Sequence, residues 1–437
     1  MARNRRCVGI GNIETLYGNV STKTRKMRYV RTLECQLKRY NTEHYNDKIN
    51  NFFMNAILVL NAGSSSLKFS VFSSDTLVAM LTGQIEGIGS TPHFKVKEQD
   101  EVIVNQYWQS SELSNHDDAL KHLLSFLNER LYQHLVGVGH RVVHGGVDYA
   151  KPVLIDETVL DKLESLIPLA PLHNPHNIAA IRAVLAQRPD LPQIACFDTA
   201  FHRQQDTLAK LFGLPYSYYE QGIQRYGFHG LSYEYIVSAL PPELAQQRLI
   251  VAHIGSGASL CAIDKGHSIA TTMSFTALDG LLMGTRAGNL DAGILLYLLQ
   301  QGFNEKQLEE LLYKHSGLLG LSGISNDMRV LLDSNKPRAK LAVDYFIYRI
   351  SREIGSLIAA LKGLDAIIFT AGIGENSAII REKVIEQLSW LGIIYDASAN
   401  HQNAQCITHP DSYIQVYVMP TNEELMIAKH TKQLLKI

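Results

Sequence analysis

Short runs of consecutive apolar residues mark the predicted strands of this chain. A continuous apolar run is typical of a strand that is buried on both faces of a sheet. The clearest run, AILVL, is followed by a turn of glycine and serine residues. Strands are predicted over 56–60, 67–72, 137–144, 194–197, 249–252, 260–263, 366–369 and 414–419.

Apolar residues recur at helical spacing between these runs. In the segment 114–135, leucines fall on one face of a helix that a Ser-Asn pair can cap. The proline-rich segment 170–175 is predicted to be a loop. Thr421 and Glu424 are spaced as a capping box for the last helix. Further helices are predicted over 156–167, 177–187, 340–362 and 421–435.

One arrangement of elements occurs twice along the chain. A strand, a turn of small residues and a second strand cover 56–72, and the same order returns at 249–263. The two segments do not superimpose residue for residue, so a duplication is suspected rather than demonstrated. Alternating strands and helices indicate α/β layers. Because no low-complexity linker divides the chain, we expect two domains packed around a shared cleft.

Composition favours a large globular protein with an unusual leader. The chain has 437 residues, 46% hydrophobic and 19% charged, which argues against global disorder. The net charge of -1 combines +7 in residues 1–54 with -8 in the rest. That balance argues against a protein that coats nucleic acid. We expect the basic leader to be non-native or mis-started, with the true start at Met54; a transit peptide is the alternative.

The cysteines and the hydropathy pattern exclude other classes. The five cysteines are scattered and form no CxxC pair, so neither a disulfide framework nor a cysteine zinc site is expected. A reducing cytoplasm fits this usage. No uncharged apolar run reaches about 18 residues, so no membrane span is expected.

Three turns of small residues are candidates for binding phosphate. In the segment 61–68, backbone N–H groups, serine hydroxyls and Lys68 could surround an anion. The turn 255–259 offers the same chemistry without a cation, and 372–376 follows a buried strand. None matches a Walker A loop or a complete dinucleotide fingerprint. An ordinary β-turn is the alternative for each.

Polar clusters supply groups that suit phosphoryl transfer. Arginine, histidine or aspartate stands beside small residues in five segments, at 139–146, 171–175, 197–202, 226–230 and 283–286. Two arginines, several histidines and a carboxylate could neutralise the charge that spreads over a transferring phosphoryl group. Taken singly, each residue could instead serve only in structural hydrogen bonds. Glu423, at the start of the last helix, is a candidate for directing magnesium.

These segments together resemble the acetokinase family, in order from Asn55 to about Lys429. The matching motifs lie at 60–68, 139–145, 170–175, 197–202, 225–230, 283–286, 325–329, 369–376 and 420–424. The resemblance implies the α/β fold of sugar kinases, Hsp70 and actin, in which two duplicated domains enclose ATP in a cleft. It implies domain I over 55–200, completed by the helix 425–437, and domain II over 201–424, after a 1–54 leader.

The resemblance also implies an activity. It is the reversible, direct in-line transfer of the ATP γ-phosphoryl group to acetate, giving acetyl phosphate and ADP. Magnesium would be required, with manganese as a substitute, and the enzyme would be a cytoplasmic homodimer that needs no nucleic acid or membrane. A propionate or other short-chain carboxylate kinase is the alternative. An inactive nucleotide-binding regulatory protein is a remote one.

Site residues carry over from the family's motifs position by position. The implied catalytic residues are Arg141, Asp198, His229 and Arg286, and the implied magnesium ligands are Asn61 and Glu423. Substrate would contact Arg141, Val143, Leu172, His173, Phe228 and Ala277. ATP would contact Ser64, Ser66, Lys68, His253, Gly255, Ser256, Gly257, Asp327, Met328, Arg329, Gly372, Ile373, Gly374, Glu375 and Asn376.

Four segments depart from the family's usual pattern. Leu231-Ser232-Tyr233 replaces Thr-Ser-His, Ser256 replaces asparagine, and Met328 stands where an aromatic residue is common. Tyr233 lacks the imidazole, which puts a supporting phosphate contact in doubt. Ala277 lacks the usual proline ring, so a longer acid could be admitted. Val143 keeps the bulk that the family's propionate kinases often reduce, which favours acetate.

Overall fold

The computed structural model describes residues 55–63, 65–109, 111–131 and 134–437. The expectations for the leader 1–54 and for Ser64 therefore lie outside the described residues. Within these ranges, no helix combines the length and the apolar character needed to cross a lipid bilayer.

The first sheet has eight strands in the order β5-β4-β3-β2-β1-β6-β8-β7. Strand β1 lies at its centre, antiparallel to β2 and parallel to β6, and β6 is parallel to β8. The strands are β1 Ala56–Ala62, β2 Ser66–Ser73, β3 Ala79–Glu86, β4 His93–Glu98, β5 Glu101–Tyr107, β6 Leu135–Val142, β7 Val153–Leu154 and β8 Gln193–Phe197.

The second sheet has five strands in the order β11-β10-β9-β12-β13. Strand β9 is antiparallel to β10 and parallel to β12, and β12 is parallel to β13. The strands are β9 Arg248–Ile254, β10 Ala258–Asp264, β11 His267–Thr271, β12 Ala366–Thr370 and β13 Gln415–Val418.

The helices connect and cover these sheets. Those before β9 are α1 His116–Leu131, α2 Glu157–Ser165, α3 Asn174–Gln187, α4 Thr207–Lys210, α5 Tyr216–Glu220, α6 Gly230–Ala239 and α7 Pro242–Ala245. Those after β11 are α8 Ala292–Gln300, α9 Glu305–Lys314, α10 Gly317–Ser322, α11 Met328–Leu332, α12 Pro337–Leu361, α13 Ala371–Asn376, α14 Ala378–Gln387, α15 Ala397–His401 and α16 Glu423–Leu435.

The two sheets share one strand topology. The order β3-β2-β1-β6-β8 of the first sheet matches β11-β10-β9-β12-β13 of the second, with the same parallel and antiparallel neighbours. The suspected repeat is therefore present in the topology. Its turns differ in length, because Ala62 pairs with Leu67 in the first hairpin and Ile254 pairs with Ala258 in the second. That one extra residue is why the two sequences do not superimpose.

The apolar runs are buried on both faces, as predicted. On β1, Leu58 and Leu60 pack into a core with α1 and α3, whereas Ile57 and Val59 pack against α16. The second sheet is covered by the long helix α12 on one face and by α6 on the other. The expected strands of both sheet centres are confirmed.

Some predicted boundaries are wrong. The helix predicted to reach residue 135 ends at Leu131, because Leu135 already pairs with β1 as the first residue of β6. The loop predicted over 170–175 ends where α3 begins at Asn174, since a proline in a first helical turn lacks only an N–H that would be unpaired.

The predicted capping box of the last helix is also wrong. Asn422 caps α16 by accepting a hydrogen bond from the backbone N–H of Leu425 at 2.8 Å. Thr421 lies before the cap, where its backbone N–H donates to the carboxylate of Glu375. Glu423 and Glu424 consequently occupy the first turn, next to the positive end of the helix dipole.

Glycines on β6 allow α16 to lie directly on the first sheet. The helix packs against β1, β6 and β8. A Cβ atom at Gly139 would lie 2.5 Å from the side chains of both Ile427 and Thr431, and one at Gly137 would collide with Leu435. This close approach brings the N-terminus of α16 to the carboxyl ends of β1 and β6.

We predict that Gly139→Ala destabilises the protein. The added methyl group would push α16 off β6, and overpacking of this kind costs about 1–3 kcal/mol. Gly355→Ala is the matched control, because Gly355 lies within α12 with no atom near its missing Cβ. That change should stabilise the helix by up to about 1 kcal/mol. Chemical denaturation measures both free energies of unfolding, and equal values would contradict the packing argument.

Candidate active site

A partly buried ion pair joins the carboxyl ends of two parallel strands. The Nε of Arg141, on β6, donates to Oδ1 of Asp198 at 3.0 Å, and its Nη2 donates to Oδ2 at 2.5 Å. Asp198 follows β8 and is 1% exposed. Burial alone would lower the pKa of Arg141, but Asp198 and Glu423 raise it above its ordinary value. The pair thus holds a permanently charged guanidinium at this sheet edge.

Side-chain oxygen atoms of two further residues lie against the same guanidinium. Oδ1 of Asn61, on β1, accepts from Nη1 of Arg141 at 3.3 Å, and Oε2 of Glu423 lies 3.7 Å from its Nε. Burial is the main reason that the pKa of Glu423 is raised to about 7, although Arg141 opposes it. An amide oxygen and a carboxylate are ligands that Mg²⁺ accepts.

His229 enters the site from a strained turn. Its backbone is left-handed, with φ at 57°, which is uncommon outside glycine and clusters at functional sites. The next residue, Gly230, donates its N–H to the carbonyl of Asp198 at 2.8 Å, and a Cβ there would collide with that oxygen. The turn carrying His229 is therefore tied to the residue that holds Arg141.

His229 also lies beside the second turn of small residues. A Cβ at Gly257 would be 3.5 Å from both Nε2 of His229 and Nη2 of Arg286. The rings of His229 and His253 stack with centroids 4.1 Å apart. Burial, followed by the charges of His253 and Arg141, lowers the pKa of His229 well below its ordinary value. The imidazole at this position is therefore neutral.

His173 borders a small apolar cavity, and Arg286 is bonded to another of its lining residues. Nη1 of Arg286 donates to the carbonyl of Ala277 at 2.8 Å. Burial first, and then the charges of Arg286 and Arg141, lower the pKa of His173 to about 4. The cavity encloses about 10 Å³ of free space, close to the room one water-sized group needs. Its lining comprises Val143, Leu169, Ala170, Pro171, Leu172, His173, Phe228, Thr276, Ala277 and Tyr313.

A much larger cavity lies along the turns that follow strands of the second sheet. It has a volume of about 830 Å³. Eight of the expected ATP-binding residues line it, namely Gly255, Ser256, Asp327, Met328, Arg329, Gly372, Ile373 and Asn376. Its walls bring together the hairpin turn after β9, the start of α11 and the helix α13.

Other expected ATP-binding residues do not line this cavity. Oε1 of Glu375 accepts from the backbone N–H groups of Ala371 and Thr421, which stabilises the left-handed conformation of Ala371. Nδ1 of His253 contacts the hydroxyl of Ser232 at 2.8 Å. Lys68 lies on β2 beside a separate groove that also contains Glu424. The cavity lining also omits Ser66, Gly257 and Gly374.

Several lining residues were missed from the sequence. Tyr313 comes from α9 and closes the small cavity beside Ala277. His401 and Ile379 border the large cavity from α15 and α14. Nothing local in the sequence distinguishes these residues from other helix residues. Asn326 could have been found, because it lies inside the 325–329 motif.

A buried arginine braces the wall of the large cavity. Arg381, on α14, is fully buried and donates to the carbonyls of Gly374 and Glu375, each at 2.9 Å. It also donates to Asn400 and Asn403. These bonds satisfy carbonyl groups at the end of α13 and fix that helix relative to α15.

Known proteins similar to this chain are kinases of one family. The family model described as the acetokinase family matches residues 56–429. The acetate kinase of Nitrobacter hamburgensis is 52% identical over 390 residues, which cover 87% of this chain and 96% of that protein.

Solved structures of similar proteins have the same fold. A propionate kinase from Francisella tularensis matches with a TM-score of 0.81 at 38% identity, covering 87% of this chain and all of that chain. The acetate kinase of Porphyromonas gingivalis matches with a TM-score of 0.80 at 36% identity over the same shares. The duplicated α/β fold expected from the sequence is confirmed. This chain belongs to the acetokinase family.

Proposed function

We propose that this protein is an acetate kinase, which reversibly transfers the γ-phosphoryl group of ATP to acetate. The observation that carries the proposal is the small apolar cavity beside His173, a side chain whose pKa is lowered by burial and then by the charges of Arg286 and Arg141. A methyl group fits such a cavity, and its carboxylate would meet two guanidinium groups. The large cavity that Gly255, Asp327 and Gly372 border provides the room for a nucleotide.

The main task of this site is to reduce the electrostatic repulsion between acetate and the phosphates of ATP. It does not have to generate a nucleophile. An acetate carboxylate is already nucleophilic, so no general base is required. Arg141 and Arg286 neutralise and orient the two anionic reactants. Neutral His229 donates a hydrogen bond to the transferring phosphoryl group, where charge spreads over the equatorial oxygens. Asp198 holds Arg141 in place from behind.

A magnesium ion fits the donors at the end of β1. Mg²⁺ usually takes one or two carboxylates together with substrate phosphates and water, so a large protein cage is not needed. Asn61 and Glu423 would hold it, and the buried carboxylate of Glu423 would gain a positive partner. The ion would neutralise phosphate charge when bound. Mn²⁺ has the same preference for oxygen ligands.

The cavity supports acetate as the preferred acid. Ala277 lacks the proline ring that is usual in the family, but the ring of Tyr313 lines the same cavity. Val143 is also larger than the alanine that is common in the family's propionate kinases. About 10 Å³ leaves little room for a further methylene group. One methylene is worth about 1–3 kcal/mol of discrimination in such a pocket. Propionate is therefore the weaker substrate.

A homodimer is the assembly that we propose for the enzyme. Helix α8 exposes Ile294, Leu296, Tyr297 and Leu299, an apolar surface that a second copy would cover. We also propose a cytoplasmic location, which the unpaired thiols of Cys196, Cys261 and Cys406 suit.

The activity is tested by hydroxamate detection of acetyl phosphate with acetate, ATP and magnesium. We predict turnover by the purified protein and a loss of at least about a hundredfold in kcat for Arg286→Ala, because the transition state loses a charged partner. Arg352→Ala, on the exposed side of α12, is the control and should keep wild-type kcat. No turnover by folded wild-type protein would refute the proposal, and an unchanged kcat for Arg286→Ala would remove Arg286 from the mechanism.

Acid preference is tested by enlarging the small cavity. We predict that Val143→Ala raises the ratio of kcat/KM for propionate to that for acetate by about tenfold or more, because the extra methylene gains room. Val147→Ala is the control, since Val147 lies nearby with an exposed side chain. An unchanged ratio in Val143→Ala would show that Val143 does not limit the acid.

The dimer is tested by charge on α8. We predict that Leu296→Glu halves the molecular mass measured by light scattering at micromolar concentration, because a buried unpaired carboxylate disfavours association. Leu434→Glu, at an exposed leucine of α16, should leave the mass at that of a dimer. A monomeric wild-type protein would contradict the proposed assembly.

A further inference from the structure

The departure at Tyr233 forms a hydrogen-bonded chain to His229. Tyr233 is fully buried in the first turn of α6, and its hydroxyl lies 2.5 Å from the hydroxyl of Ser259. Ser259, on β10, is also fully buried, and its hydroxyl lies 2.9 Å from Nδ1 of His229. Three groups that can exchange hydrogen bonds thus stand in a line that ends at the active site.

The direction of these bonds follows from counting protons. Among the described residues, the hydroxyl of Tyr233 has one hydrogen-bond partner, the hydroxyl of Ser259. A buried O–H group needs an acceptor, so the phenol donates its proton to Ser259. Ser259 then has one proton left, and Nδ1 of His229 is its other neighbour. Nδ1 therefore accepts. A neutral imidazole that accepts at Nδ1 carries its proton on Nε2.

The remaining freedom of the ring is removed by stacking. His229 lies against His253 with the ring planes 17° apart. Nδ1 of His253 is itself in contact with Ser232, the residue before Tyr233. Nε2 of His229 is next to Gly257 and Nη2 of Arg286. The ring plane is fixed by His253, so the position of its proton is what remains to be set.

We infer that Tyr233 is a positioning residue, which acts through Ser259 to keep the proton of His229 on Nε2, where it faces the transferring phosphoryl group. This inference rests on the proposed function for the role of that proton, but the proton's location does not depend on it. Without the phenol, the Ser259 oxygen would be free to accept from Nδ1–H. The opposite tautomer would then present a bare nitrogen lone pair to an anionic phosphoryl group.

Nuclear magnetic resonance locates the proton directly. In protein labelled with ¹⁵N-histidine, the signals of His229 are identified by their loss in His229→Gln. We expect the Nε2–H tautomer in the wild-type protein and a growing share of the Nδ1–H tautomer in Tyr233→Phe. An Nδ1–H tautomer in the wild type, or the same tautomer in both proteins, would overturn the inference.

Kinetics tests whether the chain matters for catalysis. We expect Tyr233→Phe to lower kcat about tenfold, the equivalent of one hydrogen bond, with KM for ATP and acetate little changed. Tyr235→Phe is the matched control on the same helix and should keep wild-type kcat. Ser259→Ala should lower kcat similarly, and Tyr233→Phe should add no further loss in that background.

The outcomes separate this inference from the proposed function. If wild-type protein lacks acetate-dependent turnover, the proposed function fails, while the tautomer still supports or overturns the hydrogen-bonded chain. If wild-type protein turns over and the Tyr233→Phe and Ser259→Ala losses simply multiply, Tyr233 does not act through Ser259 and the inference is wrong.

Discussion

The candidate site depends above all on the pairing of Arg141 with Asp198. An arginine side chain can adopt many rotamers. Two hydrogen bonds from Nε and Nη2 of Arg141 to the buried carboxylate of Asp198 restrict it to one. The same aspartate accepts a backbone N–H from the turn that carries His229. The side chains of Asn61 and Glu423 are positioned in turn by their contacts with the guanidinium of Arg141. Residues from three other parts of the chain, at 61, 229 and 423, are ordered by this one pair.

The centre of each sheet could be predicted from the sequence, and so could several residues that the structure brings together at the candidate site. Continuous apolar runs such as AILVL identify strands buried on both faces, and motif residues such as Arg141 and His173 follow from the resemblance. The strands β3 and β5 were not predicted, because neither has a continuous buried apolar run: β3 buries only Leu81 and Ile85, and β5 buries no residue. These segments are strands because they pair with neighbouring strands of the sheet, and that pairing is not visible in their own sequence.

Contacts between distant segments were beyond the reach of sequence reasoning. Tyr313 meets Ala277 in the small cavity only because α9 packs beside it. The capping box was misread for a related reason. Thr421 has a suitable hydroxyl, but that hydroxyl is bonded to Ser232, and the Thr421 backbone N–H donates to Glu375. The cap is therefore Asn422. A local pattern fixes a helix end only when no distant partner competes for the same groups.

Burial and the positive field of the site together explain why its histidines are neutral. Burial is the larger cause at His229 and His173, and two nearby guanidinium groups make a further positive charge still less favourable. Neutral imidazoles suit a transfer in both directions, because a hydrogen-bond donor that never gains or loses charge serves acetyl phosphate and ATP equally. A neutral ring, however, has two tautomers of similar energy. The requirement for a defined donor therefore falls on the groups behind the ring, and at His229 those groups are Ser259 and Tyr233.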